Sequence, residues 1–165
     1  SSQNIHGFKN TGGQGPQHRI TEVGMVKMIN GEEVARWQSL INPMRHIPYR
    51  ITQLTGISDD MVVDAPPFEA VADDIDAFTR GCVFVAHNVN FDYGFIKQEF
   101  ARLARPFRRP KLCTCARMRQ HQSGLASYSL KALTRHFGIR LDNHHRALDD
   151  ALAAAELLKI IQGEG

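Results

Sequence analysis

Long apolar runs are missing from this chain. No stretch approaches the length that crosses a bilayer and no secretory leader is visible, so the chain reads as cytoplasmic, with no membrane partner. Cysteine is scarce. Cys82, Cys113 and Cys115 make an odd count without paired spacing, which argues against a disulfide framework and for reduced thiols. Cys82 sits inside an apolar run and reads as core. Cys113 and Cys115, with His121 nearby, lack a second ligand pair at zinc spacing, so no structural zinc is expected. Internal repeats, low-complexity tracts and linkers are absent too. That leaves one domain for 165 residues, long enough to bury a core. Nor is there a strong excess of either charge: a net +3 is compatible with a nucleic-acid partner and does not require one. The densest basic stretch, Arg102 to Lys111, reads equally as a solvated loop or a phosphate contact. The chain opens on Ser1-Ser2 rather than Met, so its start is expected to be an imposed boundary.

The tail carries the first chemical signal. His145 and Asp150 stand five positions apart, followed at once by Ala-Leu-Ala-Ala-Ala-Glu-Leu-Leu. These are strong helix formers, and Ala151, Leu152, Ala155 and Leu158 share one stripe. Asp150 therefore falls in the first turn of a buried helix, where the dipole favours a carboxylate. His145 falls just ahead of it. A mobile base beside a fixed acid suits metal-assisted hydrolysis. The same octet taken alone reads as readily as a helix-terminal charge and a surface histidine.

Taken in order, residues 1–10 are polar and read as irregular, and residues 11–17 form a glycine-rich loop. Two strand-like runs, from Ile20 to Met28 and from Val34 to Ile41, flank Asn30-Gly31, a strong hairpin signal. Residues 42–58 are loop-like. Pro66-Pro67 opens a helix whose Phe68, Val71, Ile75 and Phe78 fall at helical spacing, and Gly81 ends it. Residues 82–86 are short, continuous and apolar, as a buried parallel strand requires. That strand runs into His87-Asn88-Val89-Asn90-Phe91-Asp92 and a helix over residues 91–103. Asp92 thus stands beyond the carboxyl end of a strand, where open α/β sheets build their sites. Leu112-Cys113-Thr114 reads as another strand, and Ser127 or Ser129 as the cap of a helix that Gly138 stops. This order predicts an α/β fold, a mixed sheet flanked by helices.

The run Ala86-His87-Asn88-Val89-Asn90-Phe91-Asp92-Tyr93-Gly94-Phe95, followed by His145 and Asp150, resembles the DEDDh family of 3′–5′ exonucleases, and within it the proofreading (epsilon) exonucleases of bacterial DNA polymerase III. Thr11-Gly12-Gly13, Arg19-Ile20-Thr21-Glu22-Val23-Gly24, Ile41-Asn42-Pro43, Ile51-Thr52-Gln53-Leu54-Thr55-Gly56-Ile57 and Tyr128-Ser129-Leu130 agree in order, so the likeness covers Thr11 to Leu158. It implies an RNase H-like fold with a mixed five-stranded sheet. It also implies hydrolysis at the 3′ end of a nucleic acid, by two divalent ions about 4 Å apart; the family includes DNA and RNA, single- and double-strand enzymes, and the proofreading-like segments favour single-stranded DNA. Hard carboxylate ligands suit Mg2+ or Mn2+. By this resemblance His145 is the general base, Asp150 a direct metal ligand, and Asp92 a second acid that supports a metal. Leu54, Thr55 and the main chain at Thr11 would contact the terminal nucleotide, and Asn88 and Phe91 would shape its pocket. DNA polymerase subunits, or a fused domain, would be protein partners.

One part of the pattern departs. The family draws its first two acids from a central strand ending Asp-x-Glu-Thr-Thr-Gly. Counting back from Thr11-Gly12, the Asp falls on Gly7, the Glu on Lys9 and the first Thr on Asn10. The strand that should carry them is reduced to Gln3-Asn4-Ile5-His6, so the first strand is expected to be degenerate or missing. Glu22 matches a scaffold position and is not expected to replace the lost ligands. Lys9 would put a positive charge where a cation should sit, at a cost on the order of kcal/mol. Impaired metal binding and activity are expected. The alternative is an inactive family member that binds nucleic-acid ends or a polymerase partner.

Overall fold

Residues 2–10 form the middle of the sheet. In the computed structural model, which describes residues 2–12, 17–140 and 146–163, the elements run β1 (Ser2–Asn10), β2 (Ile20–Ile29), β3 (Glu32–Leu40), α1 (Tyr49–Thr55), α2 (Asp59–Val62), α3 (Phe68–Thr79), β4 (Val83–Ala86), α4 (Val89–Arg102), β5 (Lys111–Cys113), α5 (Thr114–His121), α6 (Leu130–Phe137) and α7 (Ala147–Gly163). The strand order is β3-β2-β1-β4-β5. β1 pairs antiparallel with β2 from Ser2↔Ile29 onward and parallel with β4 at Ile5↔Val85.

This corrects the expectation of an irregular start and a missing first strand. β1 lacks the apolar run of a buried strand, yet β2 pairs along its length and β4 pairs with Gln3 to Ile5, and buried backbone groups must be paired. Its polar side chains are accommodated singly. Asn4 donates to the Phe78 carbonyl at 2.8 Å, and the His6 ring stacks on Phe84 with centroids 3.8 Å apart.

Strand alternation splits the core. One face carries Val23, Met25 and Phe84 against Phe68, Ile75, Phe95 and Phe100 of α3 and α4, with Trp37 partly buried at its margin. The other carries Ile5, Val26 and Val85 against Ala151, Ala154, Ala155 and Leu158 of α7. Met118 and Leu133, from α5 and α6, close over Leu157 on the outer side of α7.

The hairpin forms at Asn30-Gly31, with φ of 52° and 82°, as two-residue turns demand. Residues 42–58 are not all loop. Pro48 precedes α1, Gly56 caps it in the left-handed region at φ 76°, and Ile47, Ile51, Ile57 and Val62 bury a small cluster beneath it. α4 begins at Val89, two residues before the expected start, because Asn88 takes a left-handed φ of 66° and turns the chain straight out of β4. Ser129 caps α6 by accepting from the Ala132 N–H, and Gly138 ends it. The basic stretch after α4 is largely ion-paired: Arg105 with Asp73 and Asp76, and Arg109 with Asp76. Residues 13–16 of the expected glycine-rich loop lie outside the described residues. Among the described residues no helix is long and apolar enough to cross a membrane.

α7 reaches the sheet at two glycines. Gly7 and Gly24 are register partners. A Cβ on Gly7 would stand 2.2 Å from the Ala147 carbonyl oxygen, and one on Gly24 would stand 2.3 Å from the Leu148 nitrogen. The first turn of α7 thus rests on bare backbone. Glu22, 1% exposed, pins the same turn: it accepts from the Arg146 guanidinium at 2.5 and 2.8 Å and from the Ala147 N–H at 2.9 Å.

Candidate active site

The ends of β1 and β4, the first turns of α4 and α7, and the cap of α6 enclose a cavity of about 210 Å³. Asp92 and Asp150 both line it, with Asn88, His87, Ser129 and Gly7. The two acids are 58 positions apart in the chain, and parallel pairing of β1 with β4 brings their helices to one edge. His145 lies outside the described residues.

Electrostatics mark this as a site short of positive charge. Asp92 is half-buried, and its carboxyl is held well above the usual carboxylate range, first by burial and then by the Asp150 charge, with Lys9 opposing. Asp150 is also raised. Burial is the main cause, the charge of Lys9 and its hydrogen bond oppose it, and Asp149 and Glu22 add to it. Such a pair welcomes a cation. The cation already present is Lys9, whose Nζ donates to Asp150 Oδ2 at 2.9 Å.

The divalent ions that the sequence resemblance implies can be tested against these residues. Among the described residues no three His, Cys, Asp or Glu side chains are arranged to hold a metal ion. Two acids and an ammonium on one of them do not fit a pair of divalent ions.

The nucleotide contacts expected from the sequence fall in different places. Asn88 lines the cavity, and Phe91 follows it on α4, 37% exposed and edge-on to Phe95. Thr11 is buried and works within its own loop: its N–H donates to the Arg19 carbonyl and its Oγ1 accepts from the Arg19 N–H. Thr55 donates its hydroxyl to the Ile51 carbonyl, while Leu54 beside it is 68% exposed. Thr11, Leu54 and Thr55 are not among the residues lining the cavity.

Two features escape sequence reasoning. His87 ties β4 to the loop before α6, with Nδ1 2.8 Å from Thr114 Oγ1 and Nε2 2.6 Å from the Tyr128 carbonyl. Burial holds its imidazole below the usual range. Its place next to Asn88 was the available signal. The second is an exposed patch on α1 beside the expected Leu54: Tyr49 and Arg50, with Arg45 ahead of the helix. His18 lies near enough that, after burial, the charges of Arg45 and Arg50 lower its pKa. Cations interleaved with an exposed aromatic ring form the kind of surface that takes single-stranded nucleic acid. The proline and glycine flanking α1 masked the helix that presents it.

A family model described as "Exonuclease" (RNase T type) matches residues 10–158. This chain belongs to that exonuclease family. It is 37% identical over 155 residues to the PolC-type DNA polymerase III of Clostridium perfringens, an alignment that covers 94% of this chain and 11% of the relative. It is 33% identical over 160 residues to the PolC-type enzyme of Staphylococcus aureus, covering 96% and 11%. The chain thus spans about a tenth of the length of these relatives. Exonuclease X, solved with 5′-overhanging duplex DNA, superposes with a TM-score of 0.80 at 27% identity, covering 99% of this chain and 92% of that one. The nuclease domain of 3′hExo, a DEDDh family member bound to rAMP, has a TM-score of 0.84 at 19% identity, covering 99% and 92%. At that identity the likeness shows the fold alone. The fold is accordingly RNase H-like. The family match starts at Asn10, beyond Gly7 and Lys9, although β1 stands at the centre of the sheet.

Proposed function

We propose that this domain is a proofreading-type module that receives the 3′ end of a DNA strand, and that hydrolysis is impaired in this chain because Lys9 occupies the place of a metal ion. One observation carries the reading: the 2.9 Å contact between Lys9 Nζ and Asp150 Oδ2, the acid to which the resemblance gives direct ligation. A unit charge and a divalent ion about 4 Å apart repel by several kcal/mol even at an effective dielectric constant near 20. Since each ~1.4 kcal/mol is about tenfold in rate, that repulsion is enough to suppress turnover by orders of magnitude. Asp92 and Asp150 are the acids that remain for Mg2+ or Mn2+. His145, five residues ahead of Asp150, is proposed as the base that accepts a proton from water. Asn88 and Phe91 border the terminal nucleotide. Leu54, Thr55 and Thr11 belong to the segments that flank its approach. The PolC-type relatives make a polymerase, fused or associated, the proposed protein partner.

A 3′-labelled single-stranded oligonucleotide incubated with manganese tests this. Little or no shortening is the expected result. Robust degradation abolished by EDTA would refute the impairment. The same ion pair favours a second reading, a non-catalytic module that holds a strand end, and retained binding without cleavage would select it.

A further inference from the structure

Lys9 is the penultimate residue of the central strand of the sheet. Its side chain is only 15% exposed, and its ammonium nitrogen is fixed at the carboxylate of Asp150. Strand alternation sends Gly7 and Lys9 to the α7 face, toward Asp150. Glu22, its register partner on β2, is already committed to Arg146 and the Ala147 N–H. Lys9 therefore turns to the acid at the cavity edge.

Compared with a site of four carboxylates, glycine and lysine at two of the positions make this one three charges less negative. Much less added positive charge is then needed before a phosphate can enter. We infer that the Lys9 ammonium serves as a built-in cation for the 3′-terminal phosphodiester of a single strand, so that this chain grips a 3′ end without any divalent metal. The inference rests on the assignment of this cavity to a strand terminus. An ammonium carries three N–H donors. The Asp150 bond uses one, leaving two to offer a phosphate oxygen, and charge-assisted bonds of this kind are the strong ones. The cavity, about 210 Å³, has room for the phosphate and its sugar rather than for a longer segment. Because the cation is covalently part of the chain, no chelator can remove it.

The test is fluorescence anisotropy with a 5′-labelled oligothymidylate, linear or closed into a circle, in excess EDTA and in magnesium. The linear probe is expected to bind equally well in both, and the circle weakly. Lys9→Met keeps the apolar stem and removes the charge. It is expected to weaken binding in EDTA about tenfold, equivalent to ~1.4 kcal/mol. It should also lower the slope of log K against log salt by about 0.7, the value for one phosphate contact on a single strand. A merely structural role would leave that slope unchanged. Binding of the linear probe in magnesium but not in EDTA would overturn the role of Lys9 and leave the 3′-end reading standing. So would a Lys9→Met variant with unaltered affinity and slope. Failure to bind the linear probe in either buffer would overturn both.

Discussion

Asp150 holds Lys9, and a metal ion would have to compete for the same carboxylate. With Lys9 at 2.9 Å, a lone pair of Oδ2 is already engaged. Lys9→Glu removes that competitor and adds a third carboxylate to the same edge. Manganese affinity is expected to rise at least tenfold by titration calorimetry, and EDTA-sensitive shortening of a 3′-labelled strand should become measurable. An unchanged titration would mean that Lys9 is not what excludes the ion. The residue substitutions at 7 and 9 were legible by counting back from Thr11-Gly12, because spacing within one strand is fixed. The environment of His6 was not legible. Both of its ring nitrogens are buried without a hydrogen-bond partner, and burial, with the Arg109 charge, lowers its pKa to about 3. The folded state therefore keeps this imidazole neutral while the unfolded chain protonates it below the ordinary value of 6.5. Stability contributed by the neutral ring is full above that value and is lost as pH falls toward 3. Between about pH 7 and about pH 5 His6 alone should cost roughly 2 kcal/mol. The difference in urea midpoint between the wild type and His6→Leu, measured at both values, checks the slope. Parallel pH dependence in the two proteins would rule it out.

At the scale of elements, α7 and β1 are the pair that makes the site, and they differed in how visible they were. α7 could be read from its own residues, since Ala and Leu give both propensity and a stripe. β1 could not, because what fixes it is pairing with β2 and β4 on either side rather than the apolar content of Gln3-Asn4-Ile5-His6. The same holds for α1, seven residues closed between Pro48 and Gly56, whose one buried residue, Ile51, packs on Ile47, Ile57 and Val62 from outside the helix. The contact between α7 and the sheet leads to a prediction about Gly7. An added Cβ would meet backbone, the Ala147 carbonyl oxygen at 2.2 Å, and backbone cannot rotate away. Gly7→Ala should cost about 1–3 kcal/mol, as overpacking does. Gly24→Ala meets Leu148 backbone in the same turn and should cost a similar amount. Once either substitution has lifted the turn the other has less to displace, so the double variant should lose less than the sum. Urea unfolding of the three variants measures this. An additive double variant would mean that the two glycines do not share one helix contact. Gly7→Asp carries the same steric cost, so restoring the acid at position 7 requires α7 to move.

For the whole molecule, the question is what holds the cavity end of the domain together without metal. In this chain the answer is internal charge: Lys9 on Asp150, and Arg146 with the Ala147 N–H on Glu22, tie β1 and β2 to the start of α7. A ligand that binds only the folded state stabilises it by mass action, about 2.7 kcal/mol when present at a hundred times its Kd. In a domain of this size each kcal/mol moves the melting temperature by about 2–4 °C. A domain that depended on divalent ions would therefore melt several degrees higher in manganese than in EDTA. This chain is expected to melt at the same temperature in both, because its cation is covalent. Lys9→Glu should behave in the opposite way. Without metal it loses an ion pair and crowds a third carboxylate beside Asp92 and Asp150, so in EDTA it should melt below the wild type. In saturating manganese it should regain about 5–10 °C. Differential scanning calorimetry of both proteins in both buffers decides the matter. A wild type that gains several degrees in manganese would show that the ion enters despite Lys9, and the impairment proposed for this chain would then have to be given up.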